Sequence, residues 1–319
     1  MVAVSYHDTV NVLQAVDWAQ GGPFDRADWF ALLGTPLIAF AADGGSSAAL
    51  VLQEANGRIE PQRNWYSFTW RPIGNSKLFE RIARDLKRRT HRVTLWPVPG
   101  EDGSATQLKA AFQQAGWLVA VEPCDHNHIL PVAGRSFAEY WNGRPGQMRT
   151  TLKRKAKKVE VEIYERFDRV AWAEYEAIYG ESWKPEEGDP ALLRRFAESE
   201  GAGGRIRLGI ARHEGEAVAA QFWTVESGTA YIHKLAHRES AKALSPGTTL
   251  SAALFERVID VDKVELVDFG TGDDAYKRDW MEIDRPRYRI DCLDPGQLKA
   301  WPALAQRIIR ALAPGQRGR

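Results

Sequence analysis

The chain has 319 residues, 44% hydrophobic and 27% charged, with 43 Lys and Arg against 42 Asp and Glu and a net charge of +1. At about 100–200 residues per domain this length predicts two domains, each able to bury its own core. The balanced charge excludes a surface given over wholly to nucleic acid, though it allows a local basic patch. Apolar runs such as 36–42 and 48–52 fall far short of the ~18 residues a membrane span needs. Met1–Gln20 carries acids and amides where a secretory signal has its apolar stretch. Two cysteines, Cys124 and Cys292, cannot build a disulfide scaffold, so a cytoplasmic protein is expected. Tryptophan is abundant, at 12 residues, which calls for large cores or aromatic-lined clefts.

In chain order, Pro36–Leu52 reads strand, Gly-containing turn, strand. An amphipathic helix-like stretch follows around Leu78–Arg81, then a β-like segment, Arg92–Gly100. Cys124-Asp125-His126-Asn127-His128 offers metal ligands at alternate positions of one strand face. No second ligand cluster follows in the sequence, so no metal is expected, and the segment reads as the end of the first domain's last strand. Helices are predicted over Arg149–Val159 and Phe167–Tyr179, and strands over Ile206–Arg212, Ala217–Val225 and Thr229–Ala236. A loop, His237–Gly247, leads to a helix over Thr248–Val261 and a central strand, Val264–Phe269. A short helix or turn at Asp274–Met281, a strand at Arg285–Ile290 and a helix at Gln297–Leu312 complete the order.

Part of this order occurs twice. Leu-Phe-Glu-Arg stands at 78–81 and again at 254–257, each time in a helix-like stretch followed by a β-like one. Pro36–Leu52 is echoed by Ile206–Trp223. Similar elements in the same order at a nearly constant offset predict one α/β (mixed α+β) fold used twice, as domains 1–132 and 133–319. Each is expected to hold a mixed, mostly antiparallel sheet flanked by helices.

The second copy resembles the GNAT acyltransferase superfamily. It is most similar to the tandem-GNAT group with the CelD-like acetyltransferases, and more distantly to the FemAB aminoacyl transferases. The likeness is carried by Arg149–Glu165 (RTTLKRKAKKVEVEIYE), Glu216–Trp223 (EAVAAQFW), Tyr231–Leu250 (YIHKLAHRESAKALSPGTTL) and Val267–Trp280 (VDFGTGDDAYKRDW). The usual Arg/Gln-x-x-Gly-x-Gly/Ala phosphate signature is absent. The resemblance implies acyl transfer from a thioester, usually acetyl-CoA or another acyl-CoA, to an amine of a small-molecule or glycan acceptor, without a metal. The FemAB likeness implies the alternative of a charged tRNA as donor. A binding protein that kept the fold and lost the chemistry is a third reading.

The residues give these readings chemical content. Ser245, Gly247, Thr248 and Thr249 stand where a loop enters a helix. There backbone N–H groups and the helix dipole can hold a pyrophosphate, and the hydroxyls can either cap the helix or donate to phosphate. Asp268, at the end of a buried strand, is expected to accept the amine's proton or orient the amine, or else to cap the following turn. The resemblance implies that Tyr276 protonates the departing thiolate and that Lys277 has a role in the site. Lys277 could hold the acceptor or the developing oxyanion. Arg149, Lys153, Arg154, Lys155, Lys157 and Lys158 are six bases in ten positions with no acid. They form either a solvated face or an anion-binding wall, with Arg154 and Lys155 the expected substrate contacts. Gln221 and His233 on neighbouring strands, Trp183 and Trp280 are placed at the cleft, Trp183 closing over the acceptor.

Overall fold

The computed structural model describes residues 3–17 and 21–312. Its strands are β1 (Val4–His7), β2 (Leu37–Asp43), β3 (Ser46–Ala55), β4 (Arg58–Pro61), β5 (Ile73–Gly74), β6 (Arg92–Pro99), β7 (Leu118–Pro131), β8 (Glu160–Tyr164), β9 (Ile206–His213), β10 (Glu216–Glu226), β11 (Thr229–His237), β12 (Leu266–Thr271) and β13 (Ile283–Leu293). The α-helices are α1 (Ala27–Leu32), α2 (Phe79–Leu86), α3 (Ser104–Gln114), α4 (Phe137–Asn142), α5 (Gly146–Lys155), α6 (Arg169–Gly180), α7 (Pro190–Ala202), α8 (Pro246–Glu256), α9 (Lys277–Trp280) and α10 (Trp301–Leu312). The class is mixed α/β, as the sequence predicts. No described helix is long and apolar enough to cross a membrane.

The chain divides into two compact units. One holds the residues up to 125, apart from 21–23, together with those from 286 onward; the other holds 21–23 and 126–285. Expected as the consecutive stretches 1–132 and 133–319, the units are interleaved instead. The cause is β13, which pairs antiparallel with β6 from Arg287 opposite Pro99 to Leu293 opposite Arg92. Arg92 and Arg307 both bind Asp291, which ties α10 to the same strand.

The first unit has the strand order β1-β2-β3-β4-β6-β13, with β5 also on β3. The β2–β3 hairpin turns at Gly44 and Gly45, both with positive φ (53° and 83°), a conformation that excludes most side chains. β4 and β6 are parallel, Ile59 opposite Val93, so α2 forms the crossover between them. It buries Phe79, Ile82, Ala83 and Leu86 at helical spacing.

The second unit runs β7-β12-β11-β10-β9-β8 and repeats the plan: hairpin β9–β10, then β11 parallel to β12 across α8. Leu78 and Phe79 in one copy, Leu254 and Phe255 in the other, are the buried half of the repeated tetrapeptide. The tetrapeptide opens α2 but closes α8, so the second copy has about two more turns toward its N-terminus. Gly209 on β9 admits this helix, since a Cβ there would stand 2.8 Å from Leu250 Cδ1. Trp280, expected at the cleft, is buried instead and stacks on Phe255 at 4.9 Å between ring centroids. Its aromatic surface is better covered there than in water. β8 and α7 lie where the sequence reading placed no element. The strand expected over 264–269 lies two residues later.

A buried ion pair fastens this unit. The Arg207 guanidinium meets Asp262 through two hydrogen bonds (2.8 and 2.9 Å), tying the start of β9 to the turn after α8. Asp262→Ala leaves that guanidinium without its carboxylate and is expected to cost about 3–5 kcal/mol in urea unfolding. The apolar double variant Arg207→Met/Asp262→Leu should lose clearly less.

Candidate active site

β11 and β12 are parallel neighbours over only part of their length. Thr229, Ala230 and Tyr231 pair with Leu266, Val267 and Asp268. Beyond that point β11 stays with β10 as far as His237 opposite Ala219. β12 breaks register and next pairs with β7, Thr271 opposite Asn127. The carboxyl-terminal halves of two parallel strands therefore part. A gap of this kind offers unpaired backbone groups at the sheet end where α/β folds bind ligands.

Side chains from separate segments follow this gap. His237, ending β11, stands over Gly247, where an added Cβ would lie 3.7 Å from the His237 ring. Trp183 packs on His237, with centroids 4.4 Å apart. Lys184 Nζ lies 5.4 Å from the Trp183 ring centre and 5.8 Å from that of Tyr276. Tyr276 in turn sets its edge on Phe269 of β12, at 5.7 Å and 75°. The line runs from the amino end of α8 to the far side of the gap. Trp183 is half exposed along it.

Two groups on this line have shifted proton affinities. Burial, with the Asp274 charge adding to it, pushes the Tyr276 phenol well above its ordinary range. Burial also lowers the Lys184 ammonium, outweighing the opposing pull of Asp274. Among the described residues Lys184 has no ion pair and the Tyr276 hydroxyl no hydrogen bond. Behind Lys184 opens a cavity of about 360 Å³ lined by Trp172, Tyr175, Tyr179, Glu187 and Leu193.

At the amino end of α8, Ser245 takes the left-handed conformation (φ 52°, ψ 47°) and Pro246 begins the helix. Of the two roles open to it, the Ser245 hydroxyl does not cap the helix; it accepts from Lys155 Nζ at 2.9 Å. The Ser245 carbonyl takes the Thr248 and Thr249 N–H groups at 3.2 and 3.4 Å. Thr249 Oγ1 is buried and without a partner among the described residues, an orphan that a ligand acceptor would satisfy. Thr248 is half-buried beside it.

Other predicted residues lie elsewhere. Gln221 is buried under α8. Its amide donates to Ser251 (2.7 Å) and to the Gly247 carbonyl (3.3 Å), and its oxygen accepts from Trp223 (2.9 Å). Its groups are thus spent on the protein, because β10 turns this face to the helix. His233 Nε2 lies 2.8 Å from Thr224 Oγ1, with its ring stacked on Phe222. Arg154 is exposed on α5 and contacts no other site residue among those described.

Asp268 and Lys277 are held by the chain itself. The Asp268 carboxylate is buried and accepts from Asn127 Nδ2 (2.7 Å), the Gly270 N–H (2.8 Å) and Arg285 (3.3 Å). Arg285 also donates to Asn127 at 2.6 Å, which closes the ring. A carboxylate that already accepts three hydrogen bonds has few lone pairs left for a substrate. Lys277, also buried, donates to the Thr271 and Gly272 carbonyls and lies 3.7 Å from Asp274. It clasps the loop between β12 and α9.

The structure thus gathers Ser245, Gly247, Thr248, Thr249, Lys155, Trp183 and Tyr276 along the gap. It leaves out Arg154, Gln221 and His233. Lys184 is the member sequence reasoning passed over. Its one local signal is its place beside Trp183 in a loop.

In the first unit the corresponding strands, β4 and β6, also pair over only part of their length, at Ile59 opposite Val93. There the Pro97 carbonyl of β6 is taken by the Trp70 N–H at 2.9 Å, and buried Trp70 donates its indole N–H to Val51. The chain's own loop thus fills that place.

The chain is similar to known proteins in part of its sequence and in its fold. Residues 146–278 match the family model described as an acetyltransferase (GNAT) domain. No curated protein matches the chain. Among solved structures, FemX is similar at 12% identity, covering 96% of this chain and 99% of that one, with a TM-score of 0.63. L-PGS from Bacillus licheniformis is similar at 13%, covering 88% and 90%, with a TM-score of 0.56. A tandem GNAT protein of the clavulanic acid biosynthesis pathway is similar at 13%, covering 93% and 100%, with a TM-score of 0.51. Residues 146–278 thus match a GNAT acetyltransferase domain model, and the chain shares its fold with these structures.

Proposed function

We propose that this chain transfers an acyl group, acetyl or longer, from coenzyme A to an amine of a small-molecule or glycan acceptor, in the gap between β11 and β12. One observation carries the reading: Tyr276 and a Lys184 without an ion pair among the described residues lie side by side on the line that leads to the amino end of α8, where burial raises the phenol pKa and lowers that of the ammonium. The donor's pyrophosphate would lie at that helix end. Lys155, the Ser245, Thr248 and Thr249 hydroxyls and the Gly247 backbone are the available contacts there.

In the reaction the amine nitrogen bonds to the thioester carbon and the carbon–sulfur bond breaks. Lys184 in its neutral form takes the proton the amine gives up; its burial favours that form against the opposing charge of Asp274. Tyr276 gives its proton to the departing sulfur, and Lys184 restores it. Asp268 and Lys277 position the strand end and loop that carry Tyr276. The first copy serves as a partner fold without a site of its own. Trp183 closes over the acceptor, and the free thiols Cys124 and Cys292 suit a cytoplasmic setting.

A base must be deprotonated to work, so kcat/KM should rise with pH through the lowered Lys184 pKa. Lys184→Arg, which stays charged, should be inactive at every pH, and a pH profile of that variant equal to wild type would refute the role. Lys155→Ala removes a charge-assisted contact worth about 1.5–3 kcal/mol, so acetyl-CoA should bind about tenfold weaker or worse in calorimetry. Failure of wild type to bind any acyl-CoA at millimolar concentration overturns the donor assignment.

A second reading, a charged tRNA as donor, is favoured by the exposed and acid-free α5 region with Arg149, Lys153, Arg154, Lys157 and Lys158. It requires tRNA binding that weakens steeply with salt.

A further inference from the structure

A group outside the gap has unspent chemistry. His128 on β7 is 1% exposed, and its Nε2 has no hydrogen-bond partner among the described residues. That nitrogen points toward Asp273, 3.9 Å from Oδ1. Two backbone bonds explain the surroundings: Gly272 N–H donates to the His126 carbonyl and Glu282 N–H to that of Ile129, both at 3.1 Å. β7 is thus flanked by the loop after β12 on one side and the start of β13 on the other. Asp273 arrives from the first and Asp284 from the second, and ligand atoms of His128, Asp273 and Asp284 all lie within 4.8 Å of one another. His126, two residues along the same strand face, places Nδ1 3.0 Å from Asp284 Oδ2. This is the outer-shell contact that orients a ligating carboxylate.

We propose that His128, Asp273 and Asp284 bind one divalent transition-metal ion. One imidazole with two carboxylates suits zinc, cobalt, nickel or manganese better than magnesium or calcium, which prefer oxygen alone. Metal–ligand bonds of about 2.0–2.2 Å require the three ligand atoms to draw together slightly. Asp273 and Asp284, both at the surface, have the freedom to do so. Burial, the largest cause, lowers the imidazole pKa; Asp284 and Asp273 oppose it, while Lys277 and Arg278 add to it. Arg278 competes, since it pairs with Asp273. The bound ion would pin the loop between β12 and α9 to β7. The site does not depend on the donor or acceptor assigned above.

The test uses the full chain, stripped with a chelator and titrated with zinc and with cobalt. One equivalent of cobalt should bind with an absorption spectrum of nitrogen and oxygen ligation, and zinc should raise the melting temperature. Asp273→Asn and Asp284→Asn, both surface changes, should each weaken binding tenfold or more. His128→Gln should abolish it, and Arg278→Ala should tighten it by freeing Asp273. His91→Gln, elsewhere on the chain, should change nothing. Stoichiometry well below one, or affinity unchanged in Asp273→Asn, overturns the site whether or not His128→Gln folds.

Discussion

Tyr276→Phe should lower kcat by about 10²–10⁴-fold, the range over which a positioned general acid acts. The phenylalanine keeps the ring against Phe269 and beside Lys184, so folding and acetyl-CoA affinity should stay as in wild type. Only the hydroxyl proton is lost. Burial raises the phenol pKa, so the wild-type hydroxyl carries its proton at neutral pH. The loss should shrink with an acyl thioester of a more acidic thiol, whose sulfur leaves without help. Stopped-turnover assays with the two donors check both parts. A variant within twofold of wild type removes Tyr276 from the chemistry.

Asp268→Ala should destabilise the second unit by about 2–4 kcal/mol, because buried donors lose their acceptor and a guanidinium loses its charge partner. The Gly270 N–H, Asn127 and Arg285 all converge on that carboxylate. Asp268→Asn keeps an oxygen for the first two but turns an amide N–H toward Arg285 in place of the acceptor, so it should cost less than alanine by those two bonds. Activity decides the role. If Asp268 positions the strand end, Asp268→Asn retains most of its kcat and an unchanged pH profile. If it is instead the proton acceptor, the same variant stays folded and is inactive. Urea unfolding alongside kcat separates the outcomes.

Much of the scaffold is local and therefore legible. The two hairpins follow from alternating apolar stretches around a glycine turn. The two crossover helices follow from apolar residues three and four apart, the shared Leu-Phe pair among them. The junction at Ser245–Thr249 was likewise visible, since Ser-Pro-Gly marks a helix start wherever it occurs. β8 escaped notice because Glu160–Tyr164 alternates weakly beside a long basic run. Which hydroxyl caps that helix is not legible, since Ser245 takes a left-handed backbone and turns its hydroxyl to Lys155.

What sequence alone determined here was a repeated order of elements, with a loop-to-helix junction at Ser245–Thr249 in the second copy. Periodicity and turn chemistry act within a few residues, so they can be read without partners. Tertiary structure decided which polar groups are spent and which are free. Asp268 is quenched by Asn127, 141 residues away in sequence. Gln221 is consumed by a helix laid over its strand. Lys184 reaches Tyr276 from a loop over 90 residues earlier, and His128 meets Asp273 and Asp284 only because β7 lies between the end of β12 and the start of β13. Sheet order and register set such encounters, and no short stretch of sequence contains them.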